Sequence, residues 1–199
     1  MLFTFDNLSF LFWSLTYVLV VVYNVKYHTT GIPPIALAFN FGWETVAFVS
    51  ALYFDSYFHF GYFAWFLIDL VIVISFFLFC KPIYTKHKYN LLLLYLAGTT
   101  LFGLLSYFNR DSLVVGAFCI NFTMQLEWFY YCANKKFILS PIASGFCVTK
   151  LLGDLFAWLI FMRDSGFIAL LGFLILVLNI MCLYTALFRD QIMNSKHKR

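Results

Sequence analysis

Seven apolar runs of about twenty residues, each bounded by polar or helix-breaking positions, set the rhythm of this chain. Within a run the apolar residues follow one another continuously instead of alternating. That pattern reads as membrane helices and not as the strands of a barrel. It predicts helices over 8–25, 33–53, 62–80, 89–108, 112–133, 140–162 and 166–188. Each can cross a hydrocarbon core of about 30 Å at roughly 1.5 Å per residue. The connections are short and carry breakers: TTGIPP before the second helix, NRDS before the fifth, LSP before the sixth and RDSG before the seventh. The expected fold class is all-α: a polytopic membrane protein, a seven-transmembrane-helix bundle with residues 1–199 as one domain and no internal repeat.

Composition agrees. Hydrophobic residues make up 63% of the chain and charged residues 11%, with a mean hydropathy of +0.88. A soluble domain has no use for so much apolar surface. The net charge of +4 has a topological explanation and does not point to nucleic acid. With seven spans, one side carries Lys26, Lys81, Lys86, Lys88, Lys135, Lys136, Arg189, Lys196, Lys198 and Arg199, and the other carries only Arg110 and Arg163. Basic residues collect on the cytoplasmic side. The N-terminus is therefore expected outside and the C-terminus in the cytoplasm, in the cell membrane of a bacterium or the endoplasmic reticulum of a eukaryote. The opening MLFTFDNLSF lacks a basic region and a small-residue cleavage site, so the first helix is expected to be retained. Cys80, Cys119, Cys132, Cys147 and Cys182 form no C-x-x-C pair and read as buried structural thiols.

Once loop and terminal charges are set aside, Glu44, Asp69, Glu127, Lys150 and Asp154 remain inside spans. Ionisable groups cost several kcal/mol in hydrocarbon, so they face the bundle interior and mark function. Glu44 lies roughly 16 Å into its span, near the midplane, and Lys150 about 15 Å in from the cytoplasmic side. Asp69 is expected nearer the outer face and Glu127 nearer the cytoplasm. Lys150 and Asp154, at i and i+4, either neutralise each other as a structural pair or face a substrate. Glu44 has no basic residue within its own helical turn, and Asn40 can donate a hydrogen bond to it. Desolvation disfavours the charged form of such an acid, which makes it a proton donor. A structural Glu44 paired with Lys150 across the bundle is the competing reading. Ala36, Asn40, Glu44, Ala47 and Ala51 share one face, suited either to close helix packing or to a cavity. Trp43, Trp65, Trp128 and Trp158 offer aromatic faces that can stabilise a cation, or pack as ordinary membrane tryptophans.

The segment Ile35 to Phe48, with Asn40, Trp43 and Glu44 as N-x-x-W-E, resembles the second span of the small integral-membrane terpene cyclases of fungal meroterpenoid and indole-diterpene pathways and their bacterial relatives. The similarity extends to WFLIDLVIV, with Trp65 and Asp69, and to LFRDQI, where Asp190 stands at the place of a late acidic residue. In topology it covers the whole chain; in residues it covers these three patches. The resemblance implies cyclisation of a polyprenyl chain, commonly one with a terminal epoxide, without a metal or loss of diphosphate. Glu44 would then be the general acid that protonates the epoxide or alkene, and Asp190 the second catalytic carboxylate. Asn40 and Trp43 would orient Glu44. The basic tail after Asp190 departs from that pattern and puts Asp69 or Asp154 forward as the alternative partner.

The residues agree with such chemistry. A carbocation cascade needs a buried acid, an apolar pocket and little water. Trp65, Asp69, Lys150, Asp154 and Trp158 join Asn40 and Trp43 as candidate substrate-binding residues. Neither D-D-x-x-D nor D-x-D-D occurs, and no metal site or cofactor is expected. The expected partners are a lipophilic prenylated substrate and membrane lipid. A transporter or carrier of a small lipophilic molecule is the alternative, since midplane charges suit it. A retinal photoreceptor is disfavoured because no lysine falls within 166–188. A non-enzymatic scaffold is the remaining reading.

Overall fold

Breakers and caps divide the chain largely where the apolar runs end. Ser140 caps the sixth helix by accepting a hydrogen bond from the Ala143 amide at 3.2 Å, with Pro141 in the first turn. In the computed structural model residues 5–54, 59–108, 112–133 and 140–196 are described, with side chains for all but residues 6, 53–54, 59–60, 81–88, 106, 108, 112, 133 and 189–196. Among the described residues the fold is all-helical, with seven helices: α1 (Phe5–Tyr27), α2 (Pro34–Phe54), α3 (His59–Phe79), α4 (Lys81–Phe108), α5 (Ser112–Ala133), α6 (Pro141–Phe161) and α7 (Gly166–Lys196).

Three boundaries differ from expectation. α4 begins at Lys81 and not at 89, because the polar stretch KPIYTKHK continues the helix instead of forming a loop. α7 runs on to Lys196, past the expected end at 188. α3 begins at His59 and not at 62, which sets Asp69 about a turn deeper in the bundle than expected. Five helices (α1, α2, α3, α6 and α7) are long and apolar enough to cross a membrane. The apolar part of α4, Tyr89–Leu105, is shorter, and in α5 Asn121, Gln125 and Glu127 interrupt the run. The outward faces are apolar, with Leu93 64% exposed and Leu78, Phe173 and Ile180 similarly bare. A bilayer is the solvent that suits such a surface. Cys119 is exposed, against the expectation of a buried thiol, while Cys80, Cys132 and Cys182 are buried.

Six helices close a ring in the order α1, α3, α2, α5, α7, α6, and α4 packs outside it, chiefly along α2. Small residues set the close approaches. Gly145, Thr149, Gly153 and Ala157 recur every four residues on α6, and α1 lies along that stripe. A Cβ on Gly153 would come within 2.8 Å of the Trp13 ring. Thr16 donates to the Thr149 hydroxyl at 2.8 Å, and Ser9 donates to the Gly153 carbonyl at 3.1 Å. Gly42 plays the same part on α2, where a Cβ would stand 3.0 Å from the Thr99 amide nitrogen of α4.

One end of the ring, called the base here, is closed by the α1–α2 connection. Thr30, Gly31, Ile32 and Pro33 are buried there. Asn24 accepts from the Gly31 amide at 2.6 Å and donates to Ser75 at 2.9 Å, while Trp128 Nε1 donates to the Gly31 carbonyl at 2.7 Å. Glu127 Oε2 accepts from the Ala36 amide at 3.1 Å and so caps α2 from a neighbouring helix. Buried backbone groups outside regular structure need such partners, and Gly31 has them on both its amide and its carbonyl.

Candidate functional site

A cavity of about 440 Å³ occupies the other half of the ring. All six ring helices line it, and α4 does not. Its walls include the first turns of α1, α3 and α5 and the last turns of α6, so its mouth lies at the end opposite the base. The lining is largely aromatic: Phe10, Trp13, Tyr17, Trp43, Tyr62, Trp65, Phe118 and Phe161.

Glu44 is part of this wall and is 2% exposed. The Tyr17 hydroxyl is a hydrogen-bond partner of its carboxyl, and its Oε2 is buried with no partner among the described residues. Among the described residues no basic side chain pairs with it, and Lys150 meets Asp154 and Asn121 instead of Glu44. Asn40 also lines the cavity, yet it does not serve Glu44 as expected. Its Nδ2 donates to Asp69 Oδ2 at 2.7 Å and to the Tyr17 hydroxyl at 3.1 Å. Asp69 faces Asn40 across the α2–α3 packing, and a completely buried carboxyl needs such a donor. Asp69 itself stands behind Asn40 and is not part of the cavity wall. Trp43 lines the wall and donates from Nε1 to the Leu113 carbonyl at 2.9 Å, which ties α2 to α5. Trp65 lines it too, with a buried Nε1 that has no partner among the described residues.

The stripe Ala36, Asn40, Glu44, Ala47 and Ala51 does both things expected of it. Its two polar residues reach the cavity, and its alanines are buried in helix packing.

Asp154 on α6 lines the cavity, and Lys150 lies one turn deeper, 1% exposed and outside the wall. Lys150 Nζ donates to Asp154 Oδ2 and to Asn121 Oδ1, both at 2.6 Å. It also stands over the Trp13 ring at 4.6 Å and the Trp128 ring at 5.3 Å. Asn121 Nδ2 donates to Asp154 Oδ1, and Asn179 Nδ2 to Asp154 Oδ2, both at 2.6 Å; Gln125 Nε2 in turn donates to Asn179 Oδ1. Of the two readings of this pair, mutual neutralisation describes Lys150. Asp154 and Asn121 also present a face to the cavity. A second void of about 10 Å³ adjoins Gln125 and Lys150, enough for about one water.

Trp158 is not part of the wall. It donates to the Ala169 carbonyl at 2.9 Å and fills the space left by Gly172. Asp190 lies in the helical end of α7, with its side chain outside the described ones. Wall residues that were not among the candidates include Tyr17, Asn121 and Trp13. A signal existed for Asn121, since Asn121 and Gln125 fall at i and i+4 in an apolar run. Among the described residues no group of three or more His, Cys, Asp or Glu side chains is placed to hold a metal ion. Comparison with protein-family models, curated proteins and solved structures finds no match to this chain.

Proposed function

We propose that this chain is a seven-span membrane terpene cyclase, N-terminus outside, in which Glu44 protonates a prenyl chain and the aromatic cavity guides the resulting carbocation to a ring product. One observation carries the reading. A single buried carboxyl with an unpartnered oxygen stands in the wall of an aromatic cavity of about 440 Å³, within the roughly 300–1,000 Å³ of small-molecule pockets. The resemblance of N-x-x-W-E to membrane terpene cyclases adds the substrate class.

On this reading the Glu44 carboxyl gives its proton to the epoxide oxygen. The bond from that oxygen to the more substituted carbon breaks, leaving a hydroxyl and a tertiary cation. Each neighbouring double bond then donates its π electrons to close a ring and pass the charge along. The last cation loses a proton from carbon, and a carboxylate accepts it: Glu44 itself, or Asp190 as the resemblance implies. Substrate and product are isomers, so the reaction draws on no oxidant or reductant. Trp13, Tyr17, Trp43, Tyr62 and Trp65 offer ring faces along the charge's path, each worth about 0.5–2 kcal/mol to a desolvated cation. The Tyr17 bond holds Glu44 in place while Asn40 and Asp69 fix Tyr17 from behind. The plug at the base makes the cavity a dead end, which supports an enzyme pocket over the carrier reading.

The test is incubation of membranes holding the wild type, Glu44→Gln or Asp190→Asn with epoxyprenyl substrates. Both variants are expected to insert normally. Glu44→Gln should lose about 100-fold or more of the cyclised product. Full turnover by Glu44→Gln removes the proposed acid. Gradient-driven uptake without cyclised product would put the carrier in its place.

A further inference from the structure

Asn121 and Asp154 touch the cavity with their hydrogen-bonding capacity incompletely used. An amide nitrogen has two hydrogens. Asn121 Nδ2 spends one on Asp154 Oδ1 at 2.6 Å, while its oxygen accepts from Lys150. Asp154 Oδ2 already accepts from Lys150 and Asn179, but Oδ1 accepts only from Asn121. One N–H of Asn121 and one acceptor position on Asp154 Oδ1 therefore have no partner among the described residues. Donor and acceptor sit side by side on adjacent groups of the same wall. A hydroxyl satisfies both at once, accepting from Asn121 and donating to Asp154.

The charge of the site selects further. Lys150 neutralises Asp154 from behind and is screened from the cavity, so an anionic head group would meet the carboxylate first. An ammonium group would duplicate a cation already paired. A neutral head group costs least. Position completes the picture. α6 lies across the ring from α2. Glu44 is roughly 15 Å and Asp154 roughly 20 Å from the base, counting residues from the start of each helix. The cavity thus has a carboxyl pole on α2, an aromatic middle and a neutral donor–acceptor pole on α5 and α6.

We propose that Asn121 and Asp154 form a hydroxyl-binding subsite, and that the ligand is an apolar chain carrying a neutral hydroxyl-bearing head group. The proposal rests on the cyclase reading only for the prenyl nature of the chain.

Binding reads it without turnover. The full-length protein in nanodiscs is titrated with farnesol, farnesyl methyl ether, farnesylamine and farnesoate, following quenching of tryptophan fluorescence. Farnesol is expected to bind about tenfold more tightly than the ether, which accepts a hydrogen bond but cannot donate one. The amine and the carboxylate should be weaker than the alcohol. Asn121→Leu removes the donor that serves either oxygen and should weaken alcohol and ether together by about tenfold. Equal binding of alcohol and ether overturns the subsite, as does tighter binding of the amine or carboxylate, or no binding of any of the four. The wild-type series decides without the variant, should Asn121→Leu fail to fold. Glu44→Gln should keep the alcohol preference, so loss of the proposed acid and loss of this subsite are separate outcomes.

Discussion

Asn40 on α2 donates to Asp69 Oδ2 on α3 at 2.7 Å, and both residues are buried. Asp69 is 0% exposed, and its other oxygen has no partner among the described residues. This bond holds the back of the site, because the same amide reaches Tyr17, the partner of Glu44. Asn40→Leu should therefore destabilise the protein by about 1–3 kcal/mol, the cost of an unsatisfied buried polar group. Asn40→Leu with Asp69→Leu should recover part of that loss, since no buried carboxyl is then left without its donor. Denaturant titration in mixed micelles measures both; a double variant no more stable than the single one would contradict the account.

Lys150 and Asp154 form an ion pair at 2.6 Å with both side chains 1% exposed. Breaking such a pair from one side strands a charge, at about 3–5 kcal/mol. Lys150→Met is expected to lose that much, and Lys150→Met with Asp154→Asn to regain most of it. Should Lys150→Met unfold no more readily than the wild type, the pair holds no structural weight.

The packing of α6 on α7 turns on one glycine. A Cβ on Gly172 would stand 2.1 Å from Trp158 Cδ1, so Gly172→Ala should cost about 1–3 kcal/mol. Gly103 on α4 has nothing within 4 Å of that position, and Gly103→Ala should gain up to about 1 kcal/mol from helix propensity. Thermal unfolding of the two variants side by side checks the contrast; equal losses would place the effect in the backbone and not in the Trp158 contact.

The proposed topology places residue 164 outside and residue 195 in the cytoplasm, at the two ends of α7. In a Cys119→Ala background, an impermeant maleimide applied to intact cells should label Asp164→Cys. Ser195→Cys should react only after permeabilisation. The reverse pattern would invert the protein, and labelling of both from one side would deny α7 a crossing.

The sequence alone determined the helices and their apolar outer faces. Long continuous apolar runs admit no other backbone in lipid, so seven helices and an apolar exterior were legible, with the fifth helix placed to the residue. It also marked Glu44, because an acid without a nearby base in an apolar run is conspicuous wherever the helix is packed. What only the tertiary structure decided is which polar group meets which. Asn40 and Glu44 are one turn apart on the same helix, yet Asn40 turns to Asp69 because helix-to-helix register sets their depths. Small residues such as the stripe on α6 and Gly42 of α2 set close approaches only through the surface that faces them. Lys150 could have met Glu44 or Asp154 on charge alone; the i, i+4 spacing gave it Asp154, and the ring order brought Asn121 to the same ammonium group. Periodicity reports which face of a helix is polar, but partner and distance arise from how seven such faces close around one space.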